Sequence, residues 1–188
     1  MSAEQSSTAI GPAVTESITL GGGCFWCLEA VYAQVDGVLE VESGYSNGPL
    51  RQPSYEQVCS GRTGHAEVVR LVFDTQRISL REVLEIFFCI HDPTTLNRQG
   101  HDSGSQYRSG IYWHTPSQET VARALVAELA GSFDAPIVTE ITPLDNYWPA
   151  EAYHQRYYAQ HPEQGYCAYV IAPKLSKFRQ RFAARVVA

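Results

Sequence analysis

The sequence has few charged residues, no excess of positive charge and no long apolar run. Charged side chains make up 18% of the 188 residues and the net charge is −6, which argues against a general nucleic-acid-binding protein. No apolar stretch approaches the roughly 18 residues that a membrane span needs, so no transmembrane helix is predicted. Internal repeats and low-complexity segments are also absent. Length and composition together indicate one globular domain.

The first 16 residues are rich in Ser, Thr and Ala, and they lack the basic region and the apolar core of a secretory signal. We predict a flexible leader over residues 1–16 and a single domain over residues 17–188, with a mobile C-terminal tail from about residue 161. An odd count of five cysteines without a signal indicates reduced thiols and a cytoplasmic protein. The five are Cys24, Cys27, Cys59, Cys89 and Cys167.

Residues 21–30 connect a predicted strand at 17–20 to a predicted helix. Cys24 opens that helix, where unpaired N–H groups and the positive end of the helix dipole favour a thiolate. We therefore expect a lowered pKa for Cys24, which makes it a candidate nucleophile. Phe25 and Trp26 provide aromatic surfaces for an apolar ligand group. The alternative is that Cys24 is a small buried core residue.

The remaining pattern predicts an α+β fold of two-layer α/β type. Strands are predicted at 38–46, 65–74, 109–115 and 138–142, and helices follow caps at Ser79 and Ser117, with a last helix from about 149 to 160. The first six elements read β-α-β-β-α-β, which is the order of ferredoxin-like folds. We expect a mixed sheet with additional helices and a long C-terminal tail.

The strand at 65–74 places Glu67 on the same side as three apolar residues. A carboxyl in apolar surroundings has a raised pKa, so it holds a proton near neutral pH and can act as an acid. The alternative is a glutamate on an edge strand that reaches water.

Polar residues are concentrated in the loop at 100–109. Tyr107 in this loop and Tyr55 upstream each offer a phenolic O–H to a ligand oxygen. The alternative is structural: Asp102 and Arg108 anchor the loop, and the tyrosines only pack. The six histidines are scattered and show no ligand spacing with the cysteines, so no metal site is predicted.

Several motifs occur in one order and resemble peptide methionine sulfoxide reductases of the A class, from about Ile18 to Tyr169. The motifs are Gly23-Cys24-Phe25-Trp26, Gly64-His65-Ala66-Glu67, His91-Asp92-Pro93-Thr94, and the loop from His101-Asp102 to Tyr107-Arg108-Ser109.

The resemblance implies that Cys24 attacks the sulfoxide sulfur of an oxidised methionine. Glu67 would give a proton to the sulfoxide oxygen, helped by hydrogen bonds from Tyr55 and Tyr107. The products would be methionine and a sulfenic acid on Cys24.

The resemblance also assigns the substrate pocket. Phe25 and Trp26 would hold the substrate methyl group, and Asp102 would order water or its neighbours. The substrate would be the S epimer, in oxidised proteins or as free methionine sulfoxide, and the biological role would be repair under oxidative stress.

A second thiol must condense with the sulfenic acid to form a disulfide. By resemblance this thiol is Cys167 on the mobile tail. Cys27 is the alternative, although a helical i, i+3 pair must distort to reach disulfide geometry, and Cys59 is a weaker candidate. Many relatives lack a cysteine at position 27, and many carry a second tail cysteine that is absent here. The expected reductant is thioredoxin or another dithiol, with no cofactor, and the expected state is a monomer.

Two other functions are consistent with parts of the pattern. Cys24 and Cys27 form a C-x-x-C motif, which is also found in thioredoxin-like dithiol–disulfide exchangers. The same motif is half of a zinc site, but no second Cys/His pair lies at a usual spacing.

Overall fold

The computed structural model of the protein describes residues 11–188. Its strands are β1 Thr15–Gly21, β2 Val38–Ser46, β3 Ala66–Asp74, β4 Arg98–Gln99, β5 Asp102–Ser103, β6 Gly110–Trp113, β7 Glu140–Pro143 and β8 Tyr147–Pro149. Its α-helices are α1 Phe25–Tyr32, α2 Tyr55–Cys59, α3 Leu80–Ile90, α4 Pro116–Leu129, α5 Tyr157–Gln160 and α6 Ala172–Arg181. A π-helical turn, Cys167–Ile171, leads directly into α6.

Six strands form one sheet in the order β7-β6-β1-β3-β2-β8, and β4 and β5 form a separate pair. The central strand β1 is antiparallel to both β3 and β6, and β2 is antiparallel to β3. Because β7 runs parallel to β6, the sheet is mixed. A mixed sheet with packed helices confirms the predicted α+β class.

The alternation along β3 separates the two faces of the sheet. Val69, Leu71 and Phe73 belong to the main core, whereas Ala66 and Val68 belong to a smaller cluster. Successive side chains of a strand point to opposite faces, so Glu67 shares the face of the main core. That face packs against α1, which is buried along most of its length.

Several predicted elements are confirmed. The strand at 38–46 matches β2, and Ser79 forms the capping box of α3 with Glu82. α2 was not predicted; it begins after Ser54, whose side chain forms a second capping box with Gln57.

Two predicted helix starts were wrong. Thr115, not Ser117, is the N-cap of α4, because Pro116 occupies the first helical turn, where its fixed φ is favourable. The predicted helix from about 149 to 160 is replaced by the end of β8, a 3₁₀ turn at Ala152–His154 and the short helix α5. Main-chain pairing of β8 with β2 overrides the local pattern there.

The predicted leader, residues 1–16, lies largely outside the described residues, since nothing is described before residue 11 and Thr15 already belongs to β1. Within residues 11–188, no helix combines the length and the apolar character needed to cross a bilayer. At the other end of the chain, α6 buries Leu175 and Phe178 in the main core.

We expect Leu175→Ala to lower the free energy of unfolding by about 2–5 kcal/mol, because Leu175 is 1% exposed and its loss leaves a cavity. The matched control is Leu96→Ala, since Leu96 is 71% exposed and its truncation should change stability by less than about 0.5 kcal/mol. Denaturant unfolding under reducing conditions measures both. Equal effects of the two substitutions would show that α6 does not contribute to the core.

Candidate active site

Cys24 lies at the N-terminus of α1, where it is the N-cap residue. The preceding Gly23 has a φ of +92°, and a Cβ added there would lie 2.6 Å from the side chain of Gln99. Glycine is therefore required for both the backbone conformation and the close approach of the loop. This turn directs the chain from β1 into α1 and leaves Cys24 partly exposed.

The carboxyl group of Glu67 lies directly beside this helix start. The backbone N–H of Phe25 donates to Glu67 Oε2 at 3.1 Å, and the contact is buried. Phe25 follows Cys24 immediately, so the bond places the carboxyl next to this cysteine. Glu67 itself is 1% exposed, which excludes the alternative of a glutamate that reaches water.

Burial raises the pKa of Glu67 to about 8, and the charges of Asp102 and Cys27 act in the same direction. The hydrogen bond from Phe25 opposes this shift because it stabilises the carboxylate. At neutral pH the group is therefore mainly a neutral carboxylic acid. One of its oxygens accepts from Phe25 and the other is available to donate a proton.

The structure corrects the prediction that Cys24 has a lowered pKa. Although Cys24 is partly exposed, the protein atoms around its sulfur desolvate it and raise its pKa well above the usual range, as do the hydrogen bond to Cys27 and the charge of Glu67. The N–H of Trp26 favours the thiolate but does not outweigh these effects. The helix terminus alone was an incomplete guide, because desolvation of the thiolate costs more than the terminus contributes.

Tyr55 and Tyr107 both lie near the carboxyl. Burial raises the pKa of each phenol, and the charge of Glu67 raises both further. Both hydroxyls therefore keep their protons and can donate hydrogen bonds. Tyr55 comes from α2 and Tyr107 from a 3₁₀ turn after β5, so the fold brings together two segments that are distant in sequence.

Aromatic side chains surround the first turn of α1. Phe25 is fully buried, while Trp26 is only partly buried and stacks on Tyr157 with ring centroids 3.7 Å apart and planes at 5°. The indole N–H of Trp26 donates to His154 Nδ1 at 3.2 Å. These rings provide an apolar wall next to Cys24.

A second group of side chains shares a cavity with Cys24. Cys27 Sγ is 3.7 Å from the hydroxyl of Tyr166, and that hydroxyl donates to Asp102 Oδ2 at 2.6 Å. The hydrogen bond from Cys24 lowers the pKa of Cys27. A cavity of about 340 Å³ is lined by Cys24 and the other members of this group, together with Lys174.

The three remaining cysteines differ in their surroundings. Cys167 is fully buried at the start of the π-helical turn, and burial and the nearby Cys27 raise its pKa. Cys59 is exposed at the end of α2, and Cys89 is buried in α3. All five cysteines are free thiols.

Three residues of the site were not predicted as members: His154, Tyr157 and Tyr166. Each lies more than 120 positions after α1 in the sequence. The one available signal was the density of aromatic residues at 153–169, which is high for an exposed segment. Within residues 11–188, no cluster of three or more His, Cys, Asp or Glu side chains is suited to a metal ion.

The comparisons with known proteins agree with this geometry. Residues 16–186 match the family described as "Peptide methionine sulfoxide reductase". The chain is 56% identical over 173 residues to "Peptide methionine sulfoxide reductase MsrA" of Polynucleobacter asymbioticus, covering 91% of each protein.

Solved structures show the same similarity. Mxr1 from Saccharomyces cerevisiae in reduced form has a TM-score of 0.79 at 36% identity, covering 86% of this chain and 94% of that one. Mxr1 in complex with Trx2 has a TM-score of 0.56 at 28% identity, covering 81% of this chain and 91% of the neighbour. Matches of this extent and identity place the chain in the peptide methionine sulfoxide reductase family.

Proposed function

We propose that this protein reduces methionine sulfoxide to methionine, with Cys24 as the nucleophile and Glu67 as the proton donor. The observation that carries this proposal is the buried hydrogen bond between Glu67 and the N–H of Phe25, which holds a carboxyl next to the cysteine. Family membership supports the same reaction. The substrates are oxidised proteins, and free methionine sulfoxide as a smaller ligand.

The two raised pKa values define the starting state, in which Cys24 and Glu67 both hold a proton. The sulfur of Cys24 attacks the sulfoxide sulfur and forms an S–S bond, while Glu67 protonates the sulfoxide oxygen. The resulting hydroxyl group then passes from the substrate sulfur to the sulfur of Cys24, so that the S–O and S–S bonds of the substrate sulfur break and methionine leaves. The proton released by Cys24 returns to Glu67. The net change is oxygen transfer: the sulfoxide is reduced to methionine, and Cys24 is oxidised to a sulfenic acid.

Tyr55 and Tyr107 support the proton transfer. As protonated phenols near Glu67, they donate hydrogen bonds to the sulfoxide oxygen and stabilise the charge that develops on it. Phe25 and Trp26 hold the substrate methyl group against the apolar wall. By family the preferred epimer is S, since each sulfoxide epimer has its own enzyme class. Asp102 orders this region through Tyr166.

The sulfenic acid is resolved by Cys167, which condenses with it to release water and form a disulfide. Because Cys167 is buried in the π-helical turn, that turn must loosen before the two sulfurs meet. π-Helical turns are rare and occur frequently at functional sites. Cys27 is the alternative resolving thiol, since it lies in the first turn of α1 and is hydrogen-bonded to Cys24. Thioredoxin then reduces the disulfide without any further cofactor, which the Mxr1 complex with Trx2 supports.

The proposal also covers the fold type, the oligomeric state and the location of the protein. The two-layer core is ferredoxin-like, which the antiparallel strand order β6-β1-β3-β2 supports. The protein acts as a monomer, because one chain supplies every group described above. It works in the cytoplasm, which the five free thiols support.

We expect Glu67→Gln to slow methionine formation by about 10²- to 10⁴-fold, the usual contribution of a general acid. A single-turnover experiment with one equivalent of sulfoxide measures this step apart from disulfide recycling. The matched control is Glu40→Gln, because Glu40 is exposed on β2 of the same sheet and should leave the rate unchanged. A Glu67→Gln rate equal to that of the control would remove Glu67 from the mechanism.

The protonation of Glu67 also predicts how stability depends on pH. Because its pKa is raised to about 8 in the folded protein, the folded state binds more protons than the unfolded state between the ordinary pKa of 4.5 and 8. The free energy of unfolding should therefore fall with rising pH relative to that of Glu67→Gln, by up to about 1.4 kcal/mol per pH unit. Urea unfolding from pH 5 to 8 measures the difference. Parallel curves would mean that Glu67 is already ionised in the folded state.

We expect Cys167→Ser to complete one turnover and then stop, because its sulfenic acid has no resolving thiol. Methionine release before and after adding thioredoxin, with its reductase and NADPH, measures single and repeated turnover. Cys59→Ser is the control and should keep both, since Cys59 is exposed on α2. Sustained turnover by Cys167→Ser would instead assign resolution to Cys27. If a variant that keeps Cys24 as its only cysteine releases no methionine in a first turnover, a dithiol exchanger would be favoured instead.

A further inference from the structure

His154 lies at the centre of the aromatic wall, although it does not belong to the reacting pair. It ends the 3₁₀ turn Ala152–His154 and is 1% exposed. Its ring centroid is 4.2 Å from that of Tyr55, 5.2 Å from that of Phe25 and 5.7 Å from that of Trp26. One buried imidazole therefore contacts three residues of the proposed substrate pocket.

The contact with Trp26 determines the tautomer of His154. An indole N–H can only donate a hydrogen bond, so Nδ1, at 3.2 Å, must accept it and cannot carry a proton. A neutral imidazole then carries its proton on Nε2. This atom is buried and has no hydrogen-bond partner within the described part of the chain, and the nearest carboxylate oxygen, Glu151 Oε2, is 3.5 Å away.

We propose that His154 is a positioning residue for the reduction: its neutral ring, protonated on Nε2, fixes Trp26 and Tyr55 in the arrangement that receives the sulfoxide. The inference rests on the proposed function of the site. His154 does not touch the reacting atoms, and it acts by holding the indole through Nδ1 and by packing against the phenol ring.

Protonation of His154 breaks this arrangement. A proton on Nδ1 turns the acceptor into a donor, so two N–H groups face each other and Trp26 loses its partner. Burial lowers the pKa of His154, while the charges of Glu151 and Glu56 oppose that shift. The ring is therefore neutral at pH 7 and takes up a proton at a lower pH than an exposed imidazole does.

The groups that face His154 come from three parts of the fold. α1 contributes only uncharged rings. α2 contributes the phenol of Tyr55 and the charge of Glu56, and the segment that contains His154 itself contributes Glu151 and Tyr153. Only a proton on Nδ1 reverses the contact with the indole N–H of Trp26, so the titration that matters is that of His154.

Two substitutions test separately the hydrogen-bond acceptor and the aromatic ring of His154. His154→Asn places an amide oxygen near the position of Nδ1 and does not titrate, whereas His154→Phe keeps a ring and removes the acceptor. The experiment is the single-turnover reduction of methionine sulfoxide from pH 5 to 8, with the half-saturating sulfoxide concentration and the maximal rate measured separately.

We expect the half-saturating concentration of the wild-type protein to rise in acidic solution, because His154 becomes protonated there. His154→Phe should raise this concentration about 10-fold at pH 7.5 while the maximal rate changes less than about threefold, because an interaction that holds the pocket is lost. His154→Asn should restore most of the binding, and neither variant should keep the acidic rise.

The control is His114→Phe, because the ring of His114 is hydrogen-bonded to Thr19 of β1. This variant should retain the wild-type pH profile. A wild-type protein that releases no methionine overturns the proposed function. If the wild-type protein releases methionine, but both His154 variants have the same half-saturating concentration and the same pH profile as the wild-type protein, only the proposed role of His154 is overturned.

Tryptophan fluorescence gives a readout that does not depend on activity or on the folding of a His154 variant. The wild-type emission should titrate in the acidic range, because a protonated imidazole beside an indole quenches it. In Trp26→Phe that titration should disappear, although Trp113 and Trp148 still emit. An unchanged titration in Trp26→Phe would show that His154 does not control Trp26.

Discussion

The hydrogen bond from the backbone of Phe25 to Glu67 joins the first turn of α1 to the central strand β3. It satisfies one of the unpaired N–H groups that every helix leaves at its N-terminus. The same bond holds a carboxyl beside Cys24, the proposed nucleophile, which precedes Phe25. A contact that the helix needs for its own stability thus also builds the pair of groups that the chemistry requires.

The main core raises the pKa of two neighbouring groups in this site, the carboxyl of Glu67 and the thiol of Cys24. The main core surrounds Glu67 and the first turn of α1, so neither a carboxylate nor a thiolate is well solvated there. Both protons are therefore held at neutral pH, and the proposed reaction begins from a thiol and a carboxylic acid. The charge of Asp102 adds to the effect on Glu67 from the side of the cysteine pair.

The pocket around this pair is assembled from distant parts of the chain. Trp26 comes from α1, Tyr55 from α2, and His154 and Tyr157 from the segment between β8 and α5. That segment is held by Glu29 of α1, which accepts from the backbone N–H of Arg156 at 2.7 Å and of Tyr157 at 3.3 Å. α1 therefore begins at the proposed nucleophile, supplies two rings of the wall, and anchors the segment that carries His154 and Tyr157.

The sequence alone determined the local features of this protein: the strand–glycine–cysteine–helix turn at Cys24, the alternation along β3 that places Glu67 among apolar residues, and the capping box at Ser79. Each depends on neighbours a few positions away. The tertiary structure decided what depends on distance in the chain. It raised rather than lowered the pKa of Cys24, turned residues 147–149 into a strand, and brought His154 against Trp26. The pairing of β8 with β2 and the packing of His154 on Trp26 join residues more than 100 positions apart, and the desolvation of Cys24 depends on the assembled core, so no local pattern contains them.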